Sequence, residues 1–232
     1  SRVKSLGKLI MNDVQSILKQ FANLAETPDE DIDVARAAFL IAATEYPDLD
    51  IDGQVLLLDS LAAGASRRLG GGQDNLFFLN TLAEYLFDEV GFRGNQEDYY
   101  DPGNSYLNQV LSRRLGIPIT LALICGEVGK RIGIPLVGIG MPGHFLLRHQ
   151  DEGDLFLDPF NRGILLSIDE CAQRLNDAAS GRIAWDPAFL TPVGNRDFVA
   201  RILRNLKGIY LNAADHHRAL GIMDLLVALL PL

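Results

Sequence analysis

The sequence has little cysteine and no long apolar run. Its 232 residues include two cysteines, Cys125 and Cys171. That is too few for a disulfide framework and favours a reducing compartment. The longest apolar stretch, residues 117–125, is interrupted by Pro118 and Thr120, and none reaches the roughly 18 residues of a membrane-spanning helix. The first residues lack a signal-peptide pattern. These absences predict a cytoplasmic protein without membrane contact.

Positive charge is also scarce. The chain has 21 lysine and arginine residues against 30 aspartate and glutamate residues, which gives a formal net charge of −9. Nucleic-acid binding needs basic side chains clustered on one surface, so we expect no nucleic-acid partner. The hydrophobic content of 48% and the charged content of 22% are typical of ordinary globular proteins.

The spacing of apolar residues divides the chain into three segments. Residues 1–90 carry apolar residues at spacings of three and four, which predicts helices only. Residues 91–192 begin with a polar loop and contain both helices and strands. Residues 193–232 predict two helices that resemble one hairpin of a tetratricopeptide repeat, and we expect this segment to be truncated. The predicted fold class is α+β. The predicted strands are residues 135–140, 144–149, 154–158 and 163–166.

The phrase Gly-Ile-Pro occurs twice, at 116–118 and 133–135, and each copy follows a basic helix end. Glycine suits the left-handed position after a last helical turn, so we expect Gly116 and Gly133 to adopt it. Pro118 suits the first position of a helix, because its missing N–H costs nothing there. The sequence therefore predicts a mostly buried helix over residues 118–131.

One histidine and one aspartate lie on adjacent predicted strands. If these strands form a hairpin about Asp151, His144 lies opposite Asp158, and residue 146 lies opposite residue 156. Residues opposite each other in an antiparallel pair are close enough for a carboxylate to orient an imidazole. An oriented His–Asp pair is two thirds of a nucleophilic triad. The alternative is a structural pair, in which the histidine stabilises the sheet and the aspartate begins a turn.

Three phrases carry a family resemblance: PGNSYLNQVLSRRLGIPITLAL (102–123), GIPLVGIGMPGHFLLR (133–148) and FLDPFNRG (156–163). They resemble the transglutaminase-like superfamily, and most closely its core 2 branch of SirB-type proteins. The resemblance implies a papain-like core with a small antiparallel sheet and a link to bacterial regulation. The superfamily's enzymes carry Cys, His and Asp in that order, and His144 and Asp158 match the last two.

The superfamily's cysteine opens the helix that ends in Gly-Ile-Pro, and the residue at that place here is Pro118. The resemblance therefore implies a triad without its nucleophile. Thr120, in the first turn of the same helix, is one substitute. Cys125 is another, although it lies about 10 Å from the helix start at roughly 1.5 Å per residue and is expected in the core. Water activated by His144 is the third.

The helix predicted before Pro118 carries further polar side chains. Asn104 and Asn108 lie one turn apart, and we expect them to line the same cleft as Pro118. Capping is the alternative for Asn104 and for Ser105, since either side chain accepts a bond from a first-turn amide. Cys171 falls in the helix after the sheet and is expected to have no role.

A metal site is not favoured. His144, His149 and Asp158 are the residues nearest in sequence that could form one. His149 stands at odd spacing from His144, however, so its side chain is expected on the other face of the sheet. We therefore predict no metal and no other cofactor.

Three functions are open at this point. The first is a non-catalytic binding or regulatory module with a protein or peptide partner, held in a cleft around His144 and Asp158. The second is a hydrolase or acyltransferase in which Asp158 orients His144 as general base, with Thr120, Cys125 or water as nucleophile. The third places the function on the N-terminal helices, where the acidic residues 26–33 meet a basic partner. A thiol, hydroxyl or water beside an accessible imidazole favours the enzyme, and an imidazole sealed by the helix start favours the module.

Overall fold

The computed structural model describes the backbone of residues 2–70, 74–151 and 153–231, and the side chains from residue 14 onward. The α+β class predicted from the sequence is confirmed. Within the described residues the α-helices are α1 Arg2–Glu26, α2 Val34–Ala43, α3 Ile51–Ser66, α4 Asn75–Ala83, α5 Leu107–Arg113, α6 Pro118–Arg131, α7 Ile168–Ala179, α8 Asn195–Asn212 and α9 His216–Leu229. Helix α4 continues as a π-type turn over Glu84–Glu89.

Two small sheets accompany the helices in the described part of the chain. The strands are β1 Arg93–Gly94, β2 Leu115–Gly116, β3 Leu136–Ile139, β4 Leu146–His149, β5 Phe156–Asp158 and β6 Ile164–Leu166. Strands β1 and β2 form a parallel pair, and β3 to β6 form an antiparallel sheet in chain order. Each of the four predicted strand regions therefore contains a strand, shorter than expected.

The predicted hairpin register is wrong. Strand β4 pairs with β5 through Leu147 opposite Leu157 and Arg148 opposite Phe156, so the turn is centred one residue later than predicted. The physical reason lies at the end of β4, where the Asp151 N–H donates to His149 Nδ1 at 3.2 Å. This bond closes the turn beyond His149. Strand β4 begins at Leu146, so His144 lies in the loop from β3 rather than within the strand.

Helix α6 is the centre of the fold, and its bounds agree with those predicted. It packs against α3, β3 and β4, and ten of its residues are buried. Pro118 begins it, and the Thr120 hydroxyl accepts a bond from the Ile117 N–H at 3.1 Å. This packing fixes the start of α6 under the loop that carries His144.

The two Gly-Ile-Pro phrases differ in their backbone. Gly133 follows α6 with φ of 80°, in the left-handed region as expected. Gly116 does not adopt that conformation, so the expectation for it is wrong. Arg114 ends α5 in the left-handed region with φ of 59°, and Gly116 lies in β2. A Cβ at Gly116 would stand 2.9 Å from Thr120 Oγ1, so glycine is needed there for close packing against α6.

The N-terminal and C-terminal helices pack together. Helix α9 contacts α1 and α8, and α8 also contacts α2. One hydrophobic cluster contains residues from Ile17 to Leu229, so all three sequence segments contribute to a common core. The division at residues 90 and 192 stays a prediction. In the described part of the chain, no helix has the length and apolar character needed to cross a membrane.

Candidate functional site

His144 and Asp158 meet in the structure despite the shifted register. His144 Nε2 lies 2.9 Å from Asp158 Oδ1. The distance is that of a hydrogen bond, but the Nε2–H direction is too oblique to make one, so the contact is a close electrostatic pairing. Phe160 packs edge-on against the imidazole with ring centroids 6.2 Å apart. The side chain of His144 is 17% exposed, so it is held from one side and open on the other.

Asp158 is fully buried and has several partners besides His144. The Asn161 backbone N–H donates to Oδ1 at 3.2 Å, and the Asn161 side-chain amide donates to Oδ2 at 2.8 Å. Arg174, on α7, donates to Oδ2 at 3.2 Å. Burial alone would raise the pKa of Asp158, but the His144 contact and the Asn161 bonds outweigh it and hold the pKa below its ordinary value. Asp158 is therefore a buried carboxylate.

The imidazole opens into a cleft with two arms, which we call the His144 cleft. The arm beside α8 has a volume of about 350 Å³, and the arm beside α7 has a volume of about 430 Å³. Five residues line both arms: Tyr99, Pro118, Met141, Gly143 and His144. No hydrogen bond of Nδ1 occurs within the described residues, so this nitrogen is available to a ligand in the cleft.

Pro118 stands in the cleft beside His144, at the start of α6. Of the described residues that line the cleft, none is a serine, threonine or cysteine. Tyr99 contributes a phenol, and burial raises the pKa of that group. The histidine is thus accessible, as an enzyme would require, while the thiol or aliphatic hydroxyl of a triad is not beside it.

The two substitute nucleophiles lie away from the cleft. The buried Thr120 hydroxyl donates to the Asn104 carbonyl at 2.7 Å, so its proton is used within the fold. Cys125 is fully buried in the main hydrophobic cluster, and burial raises the pKa of its thiol far above the ordinary value. Neither residue is among those lining the His144 cleft. Burial also raises the pKa of Cys171, to about 11.

The asparagines expected to line the cleft do not do so. Asn104 is fully buried, and its side-chain amide donates to the carbonyl oxygens of Asp98 and Tyr99. Asn108 is buried on α5. The capping expectation is also wrong, because α5 has Tyr106 at its N-cap without a side-chain bond. Asn104 instead donates to carbonyl oxygens within the polar loop, which the local sequence does not reveal.

His149 lies apart from His144. It is buried, and its Nδ1 lies 3.4 Å from Asn75 Nδ2 and accepts the bond from Asp151. Among the residues that the structure describes, no group of three His, Cys, Asp or Glu side chains is placed to hold a metal ion.

Two partners of the buried carboxylate were missed in the sequence. Asn161 had a usable signal, since Asp-Pro-Phe-Asn is the pattern of a turn in which an aspartate caps its own third neighbour. The structure forms that turn over Pro159–Asn161 with Asp158 as its cap. Arg174 had no such signal in the sequence, because it reaches Asp158 only after α7 packs back onto the sheet.

Comparison with known proteins agrees with this geometry. Residues 55–204 match the family described as the transglutaminase-like superfamily. A protein named UPF0162 protein from Xylella fastidiosa is 40% identical over 225 residues, which cover 94% of this chain and 79% of that protein. A UPF0162 protein from Vibrio cholerae is 28% identical over 211 residues, 90% of this chain and 78% of that protein. F-box only protein 21 from Mus musculus is 36% identical over 130 residues, 50% of this chain and 21% of that protein. No solved structure matches the chain.

Proposed function

The chain belongs to the transglutaminase-like superfamily, and we propose that it is a non-catalytic binding module that holds a protein or peptide in the His144 cleft. We infer further that it falls in the SirB-type branch, that α8 and α9 form a tetratricopeptide-like hairpin, and that it works in the cytoplasm. We propose a peptide segment as partner because the two arms lie side by side and share five lining residues, an arrangement that suits an extended chain better than a compact molecule.

One observation carries this proposal. The helix start beside His144 is occupied by Pro118, which offers neither a nucleophilic atom nor an N–H. Covalent acyl transfer needs a nucleophile within hydrogen-bond reach of its base. The His144–Asp158 pair then serves recognition: an imidazole with a free Nδ1 donates to or accepts from a peptide group, and Asp158 fixes its orientation.

A hydrolase with water as nucleophile is the second candidate. The observation that favours it is the exposed face of His144 together with the buried carboxylate behind it. In such an enzyme His144 would take a proton from a water in the cleft while Asp158 stabilises the resulting imidazolium.

Turnover of p-nitrophenyl acetate separates the two functions. For a binding module we expect the wild type and His144→Ala to release p-nitrophenol at rates within about twofold of each other, because the remaining exposed nucleophiles are the same in both. General-base catalysis contributes about 10²- to 10⁴-fold, so a hydrolase would lose most of its rate in the variant. A rate of p-nitrophenol release that falls at least about tenfold in His144→Ala would refute the binding proposal and establish the hydrolase.

A further inference from the structure

We propose that the arm of the His144 cleft beside α8 binds a carboxylate of the bound peptide, through the guanidinium groups of Arg201 and Arg204. This inference rests on the proposed function, since it names the chemistry of a ligand for the same cleft. The expected ligand is an acidic peptide, with a glutamate or aspartate side chain in the α8 arm and its backbone alongside His144.

The helix presents both arginines on one face. Asp197, Arg201 and Arg204 lie at positions i, i+4 and i+7 of α8, which project from the same side. Arg201 Nε lies 2.7 Å from Asp197 Oδ2, and Arg204 Nη1 lies 2.9 Å from Asp197 Oδ1. Asp197 does not line the cleft, whereas both arginines do. The aspartate therefore orients the two guanidinium groups from behind and leaves their other N–H groups for a ligand.

Arg201 also packs closely against Gly140, the residue that follows β3. A Cβ at Gly140 would stand 2.5 Å from Arg201 Cζ, 2.6 Å from Nη2 and 2.7 Å from Nη1. These nearly equal distances show that the guanidinium plane lies flat over the Gly140 Cα. Any side chain at residue 140 would displace it. Because its plane is held before a ligand arrives, Arg201 loses little conformational freedom on binding.

The local charge matches one carboxylate. Burial alone would raise the pKa of Asp197, but the bonds from Arg201 and Arg204 hold it below its ordinary value. Two cations and this one anion leave a single positive charge on the arm, in a chain whose formal net charge is −9. A carboxylate neutralises that charge, and planar guanidinium groups fit its two oxygens. A phosphate dianion would leave an excess negative charge.

The lining beyond the arginines fits a peptide. Tyr99, Pro118 and Phe145 supply apolar walls, and the Asn205 amide is the further polar group on α8. Ligand sites commonly combine apolar walls with a few placed polar groups. The carboxylate would contact the arginines while the peptide backbone lies over the apolar walls toward the imidazole.

The test is an NMR titration with two capped tripeptides, Ac-Gly-Glu-Gly-NH2 and Ac-Gly-Gln-Gly-NH2, at matched ionic strength. We expect the glutamate peptide to shift the Arg201 and Arg204 Nε–Hε signals and the His144 ring signals, with an affinity at least about tenfold above that of the glutamine peptide. Arg204→Gln should lower the affinity for the glutamate peptide about five- to tenfold. Arg67→Gln, the same charge change at the exposed residue that follows α3, should leave that affinity unchanged.

Gly140→Ala displaces Arg201 without changing any charge. It should lower the affinity for the glutamate peptide about as much as Arg204→Gln does. Thermal denaturation shows whether each variant is folded. Equal affinities for the two peptides, with His144 still shifted, would overturn the carboxylate site and leave the binding cleft standing. The absence of any arginine shift, or tighter binding of inorganic phosphate than of the glutamate peptide, would also overturn it.

Discussion

Replacing Pro118 with cysteine is expected to create a thiol that iodoacetamide alkylates at pH 7 at least about tenfold faster than an ordinary exposed thiol. Pro118 begins α6 and lines the cleft beside His144. A thiol at a helix N-terminus next to an imidazole has a lowered pKa and a larger thiolate fraction. The background is low, since Cys125 and Cys171 are buried. Intact-mass spectrometry over time gives the rate directly.

The control is the same substitution combined with His144→Ala. If Pro118 holds the place of the superfamily's nucleophile, losing the imidazole should reduce the alkylation rate about tenfold. The substitution should not disturb α6, because cysteine is tolerated at the first position of a helix. A rate that is slow, or equal with and without His144, would show that Pro118 is not positioned for chemistry with the histidine.

Asp158→Ala is expected to lower the free energy of unfolding by roughly 3 to 5 kcal/mol, the usual effect of removing one partner of a buried charge pair. The carboxylate is fully buried and receives bonds from Asn161 and Arg174, and these donors would lose their acceptor. His144→Ala should cost less than about 1 kcal/mol, because its contact is oblique and the ring is partly exposed. Urea denaturation of the three proteins measures both differences.

Asp158→Asn is the matched variant, since it keeps the shape, removes the charge and replaces one accepting oxygen with an NH2 group. The folded-state pKa of Asp158 is lowered, so its contribution is present above the ordinary unfolded pKa of about 4 and is lost as the pH falls through the lower folded value. The stability difference between wild type and Asp158→Asn should therefore shrink as the pH falls below about 4. A large loss in His144→Ala, or a difference that grows in acid, would contradict the view that Asp158 is the structural member of the pair.

The helices were the most predictable part of the fold. The apolar spacing and the proline at residue 118 were enough to place α6 with its observed bounds. The register of β4 and β5 was less predictable, because it depends on a bond from Asp151 to a histidine ring. The alternation of apolar and polar residues along these strands does not show that a histidine ring will accept that bond.

The residues of the site also fall into a predictable group and an unpredictable one. The family resemblance pointed to His144 and Asp158, and the structure places them 2.9 Å apart. Arg174 and Arg201 lie on helices that reach the cleft only through tertiary packing, and no local spacing connects them to His144. Their part in the cleft is visible only once α7 and α8 are placed against the sheet.

The binding claim is tested most directly by capture from a bacterial lysate with immobilised wild type, His144→Ala and His216→Ala, followed by quantitative mass spectrometry. His216 is exposed on α9, so its variant removes an imidazole outside the cleft. Binding through the cleft predicts at least one protein that the wild type and His216→Ala enrich equally, and that His144→Ala enriches at least about fivefold less. If all three proteins capture the same partners to the same extent, the His144 cleft is not the binding surface.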